Sequence, residues 1–190
     1  MNTSILIVGV GGQGTLLASV LLGKLALEYG YDVKLSEVHG MAQRGGSVVT
    51  HVKISDTAVA SPLIEKGEAD IILAFEKLEA YRWLPYLKKG GGLYVNTQQI
   101  LPMPVIIGDA KYPEDIESAL AERAGTLKAF DALRIAEEAG SDKAVNVVLL
   151  GAASKELPFS DEAWQAVIEK NVKERFIEMN KFAFSRGQRA

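Results

Sequence analysis

Residues 5–15 read Ile-Leu-Ile-Val-Gly-Val-Gly-Gly-Gln-Gly-Thr. The apolar run at residues 5–8 predicts a buried strand, and residues 15–29 predict a helix with one apolar face. The glycines between them have the spacing of the dinucleotide-binding fingerprint, which lies between a strand and a helix. A second strand predicted at residues 31–37 completes a strand–turn–helix–strand unit, so we expect a mostly parallel sheet.

The glycine turn, residues 9–14, is the first candidate binding site. Glycines allow positive φ and let a ligand approach the backbone, and the N-terminus of the following helix favours an anion such as a phosphate. The alternative is that the glycines only permit a tight turn and close helix–strand packing. The candidate ligand-binding residues here are Gly9, Gly11, Gly12, Gln13 and Gly14.

Glu37 ends the second predicted strand about twenty residues after the turn, where a ribose-binding acid lies in dinucleotide-binding domains. A glutamate exposed to solvent at a strand end is the commoner situation. No lysine precedes Thr15, which excludes a phosphate-binding P-loop.

A second glycine-containing loop covers residues 38–46, which read Val-His-Gly-Met-Ala-Gln-Arg-Gly-Gly. Ligands bind at the carboxyl ends of strands in open α/β sheets, so its candidate ligand-binding residues are Gln43, Arg44, Gly45 and Gly46. Arg44 has the planar fork that binds a carboxylate or phosphate through two hydrogen bonds, although a lone loop arginine is often only solvated. His39 is a candidate catalytic proton-transfer residue, with a structural histidine as the alternative. We expect this loop beside the glycine turn, because both follow neighbouring parallel strands.

The rest of the chain predicts alternating strands and helices and then a helical C-terminal segment. With no repeat and no clear linker, we expect one domain over residues 1–190, of the α/β class, Rossmann-like, with a mostly parallel sheet flanked by helices. The predicted strands are 47–54, 70–75, 93–96, 105–107 and 126–130, and the predicted helices are 76–87, 113–124, 131–139, 144–157 and 161–184.

The composition excludes several classes of protein and site. The 190 residues are 48% hydrophobic with a net charge of −3, which argues against a nucleic-acid partner. No apolar run approaches the roughly 20 residues that span a bilayer, and no secretory signal is recognisable, so we expect a cytoplasmic protein without a membrane partner. The chain has no cysteine, which rules out disulfides and a cysteine-ligated iron–sulfur cluster, and we expect no metal site.

Taken together, the glycine turn and residues 36–48 closely resemble the gamma-type subunit of the 2-oxoacid:ferredoxin oxidoreductases. The similarity is nearest to the beta subunit of the indolepyruvate branch, for which Glu-Val-His-Gly-Met-Ala-Gln-Arg-Gly-Gly at residues 37–46 is typical. Residues 146–151 and 180–184 also resemble the closing segments of the family. The resemblance covers essentially the whole chain. The glycine turn alone is weak evidence for the family, whereas the motif at residues 37–46 is specific to it.

The resemblance implies a partner-dependent enzyme. Such a holoenzyme oxidatively decarboxylates an aryl 2-oxoacid with coenzyme A (CoA), giving the acyl-CoA, carbon dioxide and reduced ferredoxin. In the family the large alpha subunit carries thiamine diphosphate and the iron–sulfur clusters, and the gamma domain helps to enclose CoA. By this resemblance the chain alone is inactive, meets ferredoxin only indirectly, and shares CoA with its partner. Gly108-Asp109-Ala110 lacks the rest of a thiamine diphosphate motif.

Two other interpretations stay open at this point. The glycine turn and Glu37 would also suit a stand-alone NAD(P)-binding dehydrogenase or nucleotide-binding module, but no tyrosine–lysine or histidine–carboxylate arrangement supports a hydride-transfer site. A small-molecule sensor is the other alternative, and nothing in the sequence resembles a DNA-binding module. We also expect an exposed apolar surface through which the isolated chain binds its partner or forms a homodimer.

Overall fold

A six-stranded sheet organises the computed structural model, which describes residues 1–40 and 45–190. The strands lie in the order β2-β3-β1-β4-β5-β6. They are β1 (Asn2–Val10), β2 (Asp32–His39), β3 (Ser47–Ser55), β4 (Ala69–Ala74), β5 (Leu87–Asn96) and β6 (Thr126–Phe130).

The sheet is mostly parallel, as predicted. Strands β1, β4, β5 and β6 pair in parallel, whereas β3 pairs antiparallel with both β1 and β2. Five of the six strands therefore point the same way, and their carboxyl ends form one edge of the sheet. One expectation was wrong: β1 and β2 are not neighbours, because β3 folds back from β2 and pairs between them.

Helices cover both faces of the sheet. Alternate residues of β1 separate two cores: Ile5 and Ile7 pack with α1 and the C-terminal helices, whereas Leu6 and Val8 pack with α2 and α4. The described helices are α1 (Thr15–Glu28), α2 (Lys77–Trp83), α3 (Met103–Ile106), α4 (Ile116–Arg123), α5 (Ala132–Ala139), α6 (Val145–Ala153), α7 (Asp161–Asn171) and α8 (Ile177–Gly187). None of the helices in the described ranges is long and apolar enough to cross a membrane.

The helical C-terminal segment is confirmed, but the single helix predicted at residues 161–184 is wrong. Val172 is extended, with φ −107° and ψ 144°, and a short 3-10 turn at Glu174–Phe176 precedes α8. Trp164 and Phe184 pack in the same core, although they lie on two separate helices rather than on one straight helix. The break lets α7 contact α1 while α8 packs on α5 and α6.

Two boundaries in the middle of the chain also differ from the prediction. The apolar residues 105–107 suggested a strand, but they belong mainly to α3, where Pro104 lies in the first turn and its missing amide is tolerated. The helix predicted at 76–87 ends at Trp83, and the next strand, β5, begins at Leu87 rather than at residue 93. Its residues 90–92 are glycines inside the strand, and Gly92 pairs with both β4 and β6.

Candidate functional site

The glycine turn joins the carboxyl end of β1 to the N-terminus of α1. Gly14 is the N-cap residue and has φ +80°, a left-handed conformation that favours glycine. No side chain caps this helix end. Within residues 1–40 and 45–190, the amides of Gly12, Gly14, Thr15 and Leu16 have no hydrogen-bond partner. The turn therefore presents a group of free donors at the positive end of a helix.

Close packing also requires glycine at the start of the turn. A Cβ atom at Gly9 would lie 2.9 Å from Gln13 Oε1 and 2.9 Å from the Cβ of Phe75, which follows β4. Contacts that short force neighbouring atoms to move, and Phe75 is fully buried. Both interpretations of the fingerprint are thus compatible with this turn. Gly9 is required for close packing, whereas Gly12 and Gly14 present free amides to a ligand.

The side chain of Gln13 lies beneath the turn and braces it. Its Oε1 accepts a 2.8 Å hydrogen bond from the Val10 amide, and its Nε2 donates to the Phe75 carbonyl at 2.9 Å and to Gln98 Oε1 at 3.2 Å. These contacts join the ends of β1 and β4 to the segment after β5. The structure gives Gln13 a supporting role that the sequence did not suggest, and direct contact with a ligand stays a prediction.

Asn96 extends this brace to β5 and α5. It is fully buried; its Nδ2 donates to the Phe75 carbonyl at 3.0 Å, and its Oδ1 accepts from the Ala132 amide at 3.1 Å. Asn96 therefore caps the N-terminus of α5 while holding the end of β4. Two carboxamide side chains therefore fix together the carboxyl ends of β1, β4 and β5 and the start of α5.

The base of the second loop contacts the glycine turn. The Gly11 amide donates to the Gly46 carbonyl at 2.8 Å, and the Gly40 amide donates to the Ser47 carbonyl at 3.3 Å. The contact arises because β3 pairs antiparallel with β1, which places Ser47 opposite Val10. Neighbouring parallel strands, the expected reason, do not produce it. Gly45 and Gly46 are described, whereas Gln43 and Arg44 lie outside the described residues.

His39 and Glu37 lie farther from the turn than Gly46. His39 is exposed at the end of β2 and pairs with Val48, which in turn pairs with Gly9. Two interstrand spacings, about 10 Å, therefore separate His39 from Gly9. Glu37 is exposed and accepts a hydrogen bond from Thr50 at 3.2 Å. Because β3 lies between Glu37 and β1, the expected ribose-binding position next to the turn does not form.

A cavity of about 610 Å³, which no sequence pattern predicted, opens beside the turn. Its size is within the range of small-molecule sites. Gly12 and Gly14 form one end, Asn146 Nδ2 donates to the Gly14 carbonyl at 3.1 Å, and Lys143 lies on the rim. The rest of its wall is mainly apolar and includes Leu16, Leu133, Val145, Val172, Phe176 and Met179. The cavity therefore combines donors at one end with an apolar wall.

The other histidine, His51, is structural. It is buried on the α2 side of the sheet, and its Nδ1 accepts from the Ile64 amide at 3.1 Å. Burial, helped by the positive charge of Lys53, lowers the pKa of His51 and favours its neutral form. No group of three or more histidine, cysteine, aspartate or glutamate side chains in the described part of the chain is placed to hold a metal ion.

We predict that Gln13→Met lowers the free energy of unfolding by about 1–3 kcal/mol, because the part-buried Val10 amide loses its partner and the Phe75 carbonyl loses one of its two donors, while side-chain volume is kept. Denaturant unfolding of the purified chain measures this. The matched control is Gln165→Met, because among the described residues the Gln165 side chain makes a single 3.5 Å contact, to Ser185. This variant should change stability by less than about 0.5 kcal/mol. Equal stability of the two variants would refute the bracing role.

Comparison with known proteins agrees with the resemblance seen in the sequence. The family model described as pyruvate ferredoxin/flavodoxin oxidoreductase matches residues 4–190. The indolepyruvate oxidoreductase subunits IorB of Pyrococcus horikoshii and Thermococcus kodakarensis are 44% and 43% identical, each over 98% of this chain and 95% of the relative. The chain thus matches these relatives over nearly their full length.

Solved structures share the fold. The gamma subunit of a keto/oxoacid ferredoxin oxidoreductase from Geobacter sulfurreducens is 28% identical, with a TM-score of 0.70 over 97% of this chain and 95% of that one. A 2-oxoglutarate:ferredoxin oxidoreductase from Magnetococcus marinus is 18% identical, with a TM-score of 0.77 over 99% of this chain but 30% of that one, and shows a likeness of fold alone. This chain belongs to the pyruvate ferredoxin/flavodoxin oxidoreductase family.

Proposed function

We propose that this chain is the small subunit of an indolepyruvate:ferredoxin oxidoreductase, which converts aryl 2-oxoacids to acyl-CoA. The observation that carries the proposal is the 43–44% identity to two proteins named as indolepyruvate oxidoreductase subunits. The match extends over almost the full length of this chain and of each relative. Relatives named as 2-oxoglutarate synthase subunits are less similar, for example 31% identical over 99% of this chain. The identities favour the indolepyruvate branch, and they give no support to a stand-alone NAD(P) dehydrogenase.

The redox cofactors of such an enzyme do not fit this chain. It has no cysteine, so it supplies no thiolate for an iron–sulfur cluster. Residues 108–110 form an exposed stretch after α3, and the described residues hold no cluster of metal-binding side chains for the metal of thiamine diphosphate. We assign both cofactors, and the contact with ferredoxin, to the large subunit. We take residues 1–190 as one domain that acts as a unit.

We assign CoA to the carboxyl edge of the sheet as a ligand shared with the large subunit. The free amides of Gly12 and Gly14 suit a phosphate, and the apolar cavity beside them suits a less polar part of the same molecule. Gly9 and Gln13 shape the turn, and Gly11 and Gly46 join it to the second loop. Gln43, Arg44 and Gly45 complete the proposed ligand-binding set, and His39 stays a candidate for proton transfer only.

The same edge is the surface that we propose faces the large subunit. The segment after β5 carries exposed apolar side chains: Leu101, Met103 and Ile106 are 48%, 65% and 61% exposed. Residues of this kind are costly to leave in water, and a subunit that docks keeps them. In the isolated chain, the same surface would favour a homodimer.

We predict that the purified chain alone does not reduce ferredoxin or a viologen dye with indolepyruvate and CoA, and that adding the large subunit produces this activity. The physical reason is that this chain has no cysteine and that its described residues hold no cluster of metal-binding side chains. The large subunit alone is the control, since the proposal requires this chain for full CoA-dependent turnover. Turnover by the chain alone, or NADH oxidation by it, would contradict the proposed function.

We predict that Arg44→Ala raises the apparent KM for CoA or the 2-oxoacid at least about tenfold in the assembled enzyme, because a charge-assisted hydrogen bond contributes about 1.5–3 kcal/mol. Arg44→Lys should recover only part of this loss, since an ammonium group lacks the planar fork. Steady-state kinetics on the assembled enzyme measure both.

The matched control is Arg123→Ala, an exposed arginine at the opposite edge of the sheet that donates to the Leu87 carbonyl. It should leave both KM values unchanged. Normal assembly of Arg44→Ala with wild-type kinetics would show that Arg44 is only solvated, and loss of assembly would make it an interface residue instead.

A further inference from the structure

We propose that Glu79 is a positioning residue that acts through Ser47 to hold Gly46, at the base of the second loop, against the glycine turn. The exchange measurement below depends only on the structure, whereas the kinetic consequence rests on the proposed function.

Glu79 is a buried carboxylate on α2, with only 4% of its side chain exposed. Its Oε2 accepts a 2.5 Å hydrogen bond from the Ser47 hydroxyl. Its Oε1 accepts from Arg82 Nη1 at 2.6 Å, and that arginine is 47% exposed. Of these two partners, Ser47 adjoins the second loop and Arg82 reaches solvent.

Ser47 connects this carboxylate to the binding edge. It is the first residue of β3, and its carbonyl accepts from the Gly40 amide, which closes the loop. The preceding residue, Gly46, accepts from the Gly11 amide at 2.8 Å. A continuous path thus runs from Glu79 through Ser47 and Gly46 to the glycine turn. The path lies entirely within described residues.

Burying a carboxylate at this position costs free energy that packing alone does not require. Burial raises the pKa of Glu79, and the Ser47 hydroxyl and the Arg82 charge act against that rise. The fully buried carboxylate of Glu76 lies one turn earlier and opposes the charge of Glu79. An apolar side chain would avoid both costs but could not accept the Ser47 hydroxyl. The bond to Ser47 is therefore what the carboxylate supplies.

Glu76 is held separately and has a different role. It caps α2 by accepting from the Glu79 amide at 2.9 Å, and it also accepts from the Tyr112 hydroxyl at 2.9 Å and the Ile100 amide at 3.1 Å. None of these contacts reaches the second loop. Glu76 therefore fixes the start of α2, whereas Glu79 fixes Ser47.

Amide hydrogen exchange of the full-length chain, measured by NMR, tests the path. Ser47→Ala and Glu79→Leu should each speed exchange at the Gly11 amide by about tenfold, the effect of losing about one hydrogen bond of support. Exchange at core amides such as Ile72 of β4 should change much less. Glu79→Gln keeps a side-chain oxygen for Ser47 and should stay within about threefold of the wild type.

The same exchange data can overturn the proposal. Unchanged exchange at Gly11 in Ser47→Ala would show that the contact carries no positioning role. An equal increase at Gly11 and Ile72 would show that Glu79 merely stabilises the whole fold. Either result contradicts the path from Glu79 to the glycine turn.

Kinetics of the assembled enzyme test the consequence for the site. Ser47→Ala should raise the apparent KM for CoA several-fold with a smaller effect on kcat, and Glu79→Gln should restore most of the loss seen in Glu79→Leu. Glu117→Gln is the control, because Glu117 is 65% exposed on α4 and pairs only with Lys77. An inactive wild-type assembly would contradict the proposed function alone, and the exchange measurement would still decide the role of Glu79.

Discussion

The carboxamide of Gln13 occupies the point where three strands end, and the geometry of the binding edge depends on it. It accepts from the Val10 amide and donates to the Phe75 carbonyl, so the turn after β1 is fixed to the end of β4. Only glycine at position 9 leaves room for this side chain. Within the described residues the amides of Gly12 and Gly14 have no hydrogen-bond partner, and both glycines line the cavity beside the turn.

The β2–β3 hairpin determines what else reaches that edge. By pairing between β2 and β1, β3 removes the position where a dinucleotide-binding domain carries its ribose-binding acid, and it brings Gly46 to the turn instead. The same glycine fingerprint therefore lies in different surroundings from those of a dinucleotide-binding domain. Free donors, the loop base and an apolar cavity lie together at one edge, and exposed apolar side chains follow β5 at the same edge. This arrangement suits a site completed by a second subunit.

Local patterns in the sequence were enough to predict most of the fold. The apolar run at residues 5–8, the glycine turn and the helix after it are each encoded within a few residues, and all three are present. The break at Val172 was missed because the four-residue spacing of apolar positions, 164, 168, 172 and 176, continues through it. The shift from strand to helix at 103–106 depends on proline placement. The pairing of β3 between β1 and β2 is a long-range choice that no local period reveals.

Only part of the candidate site could be predicted, because contacts between residues distant in the chain leave no local pattern. The two glycine motifs could be found, because their residues are contiguous. Asn146 and Gly14 are hydrogen-bonded but 132 residues apart in the chain. Phe176 lines the cavity beside the turn only because of how the C-terminal helices fold. Gln13 belonged to the predicted motif, but its side chain supports the turn from within. Glu79 lies on a short helix whose sequence gives no sign that its carboxylate reaches Ser47.

We propose that the carboxyl edge of the sheet faces the large subunit. Hydrogen–deuterium exchange followed by mass spectrometry, comparing the free chain with the assembled enzyme, locates the interface. An interface at this edge should protect peptides covering residues 9–17, 98–107 and 141–146 on assembly. Peptides at the opposite edge, around residues 2–4 and 87–91, should exchange equally in both states. Protection confined to that opposite edge, with the glycine turn unchanged, would show that another surface faces the large subunit.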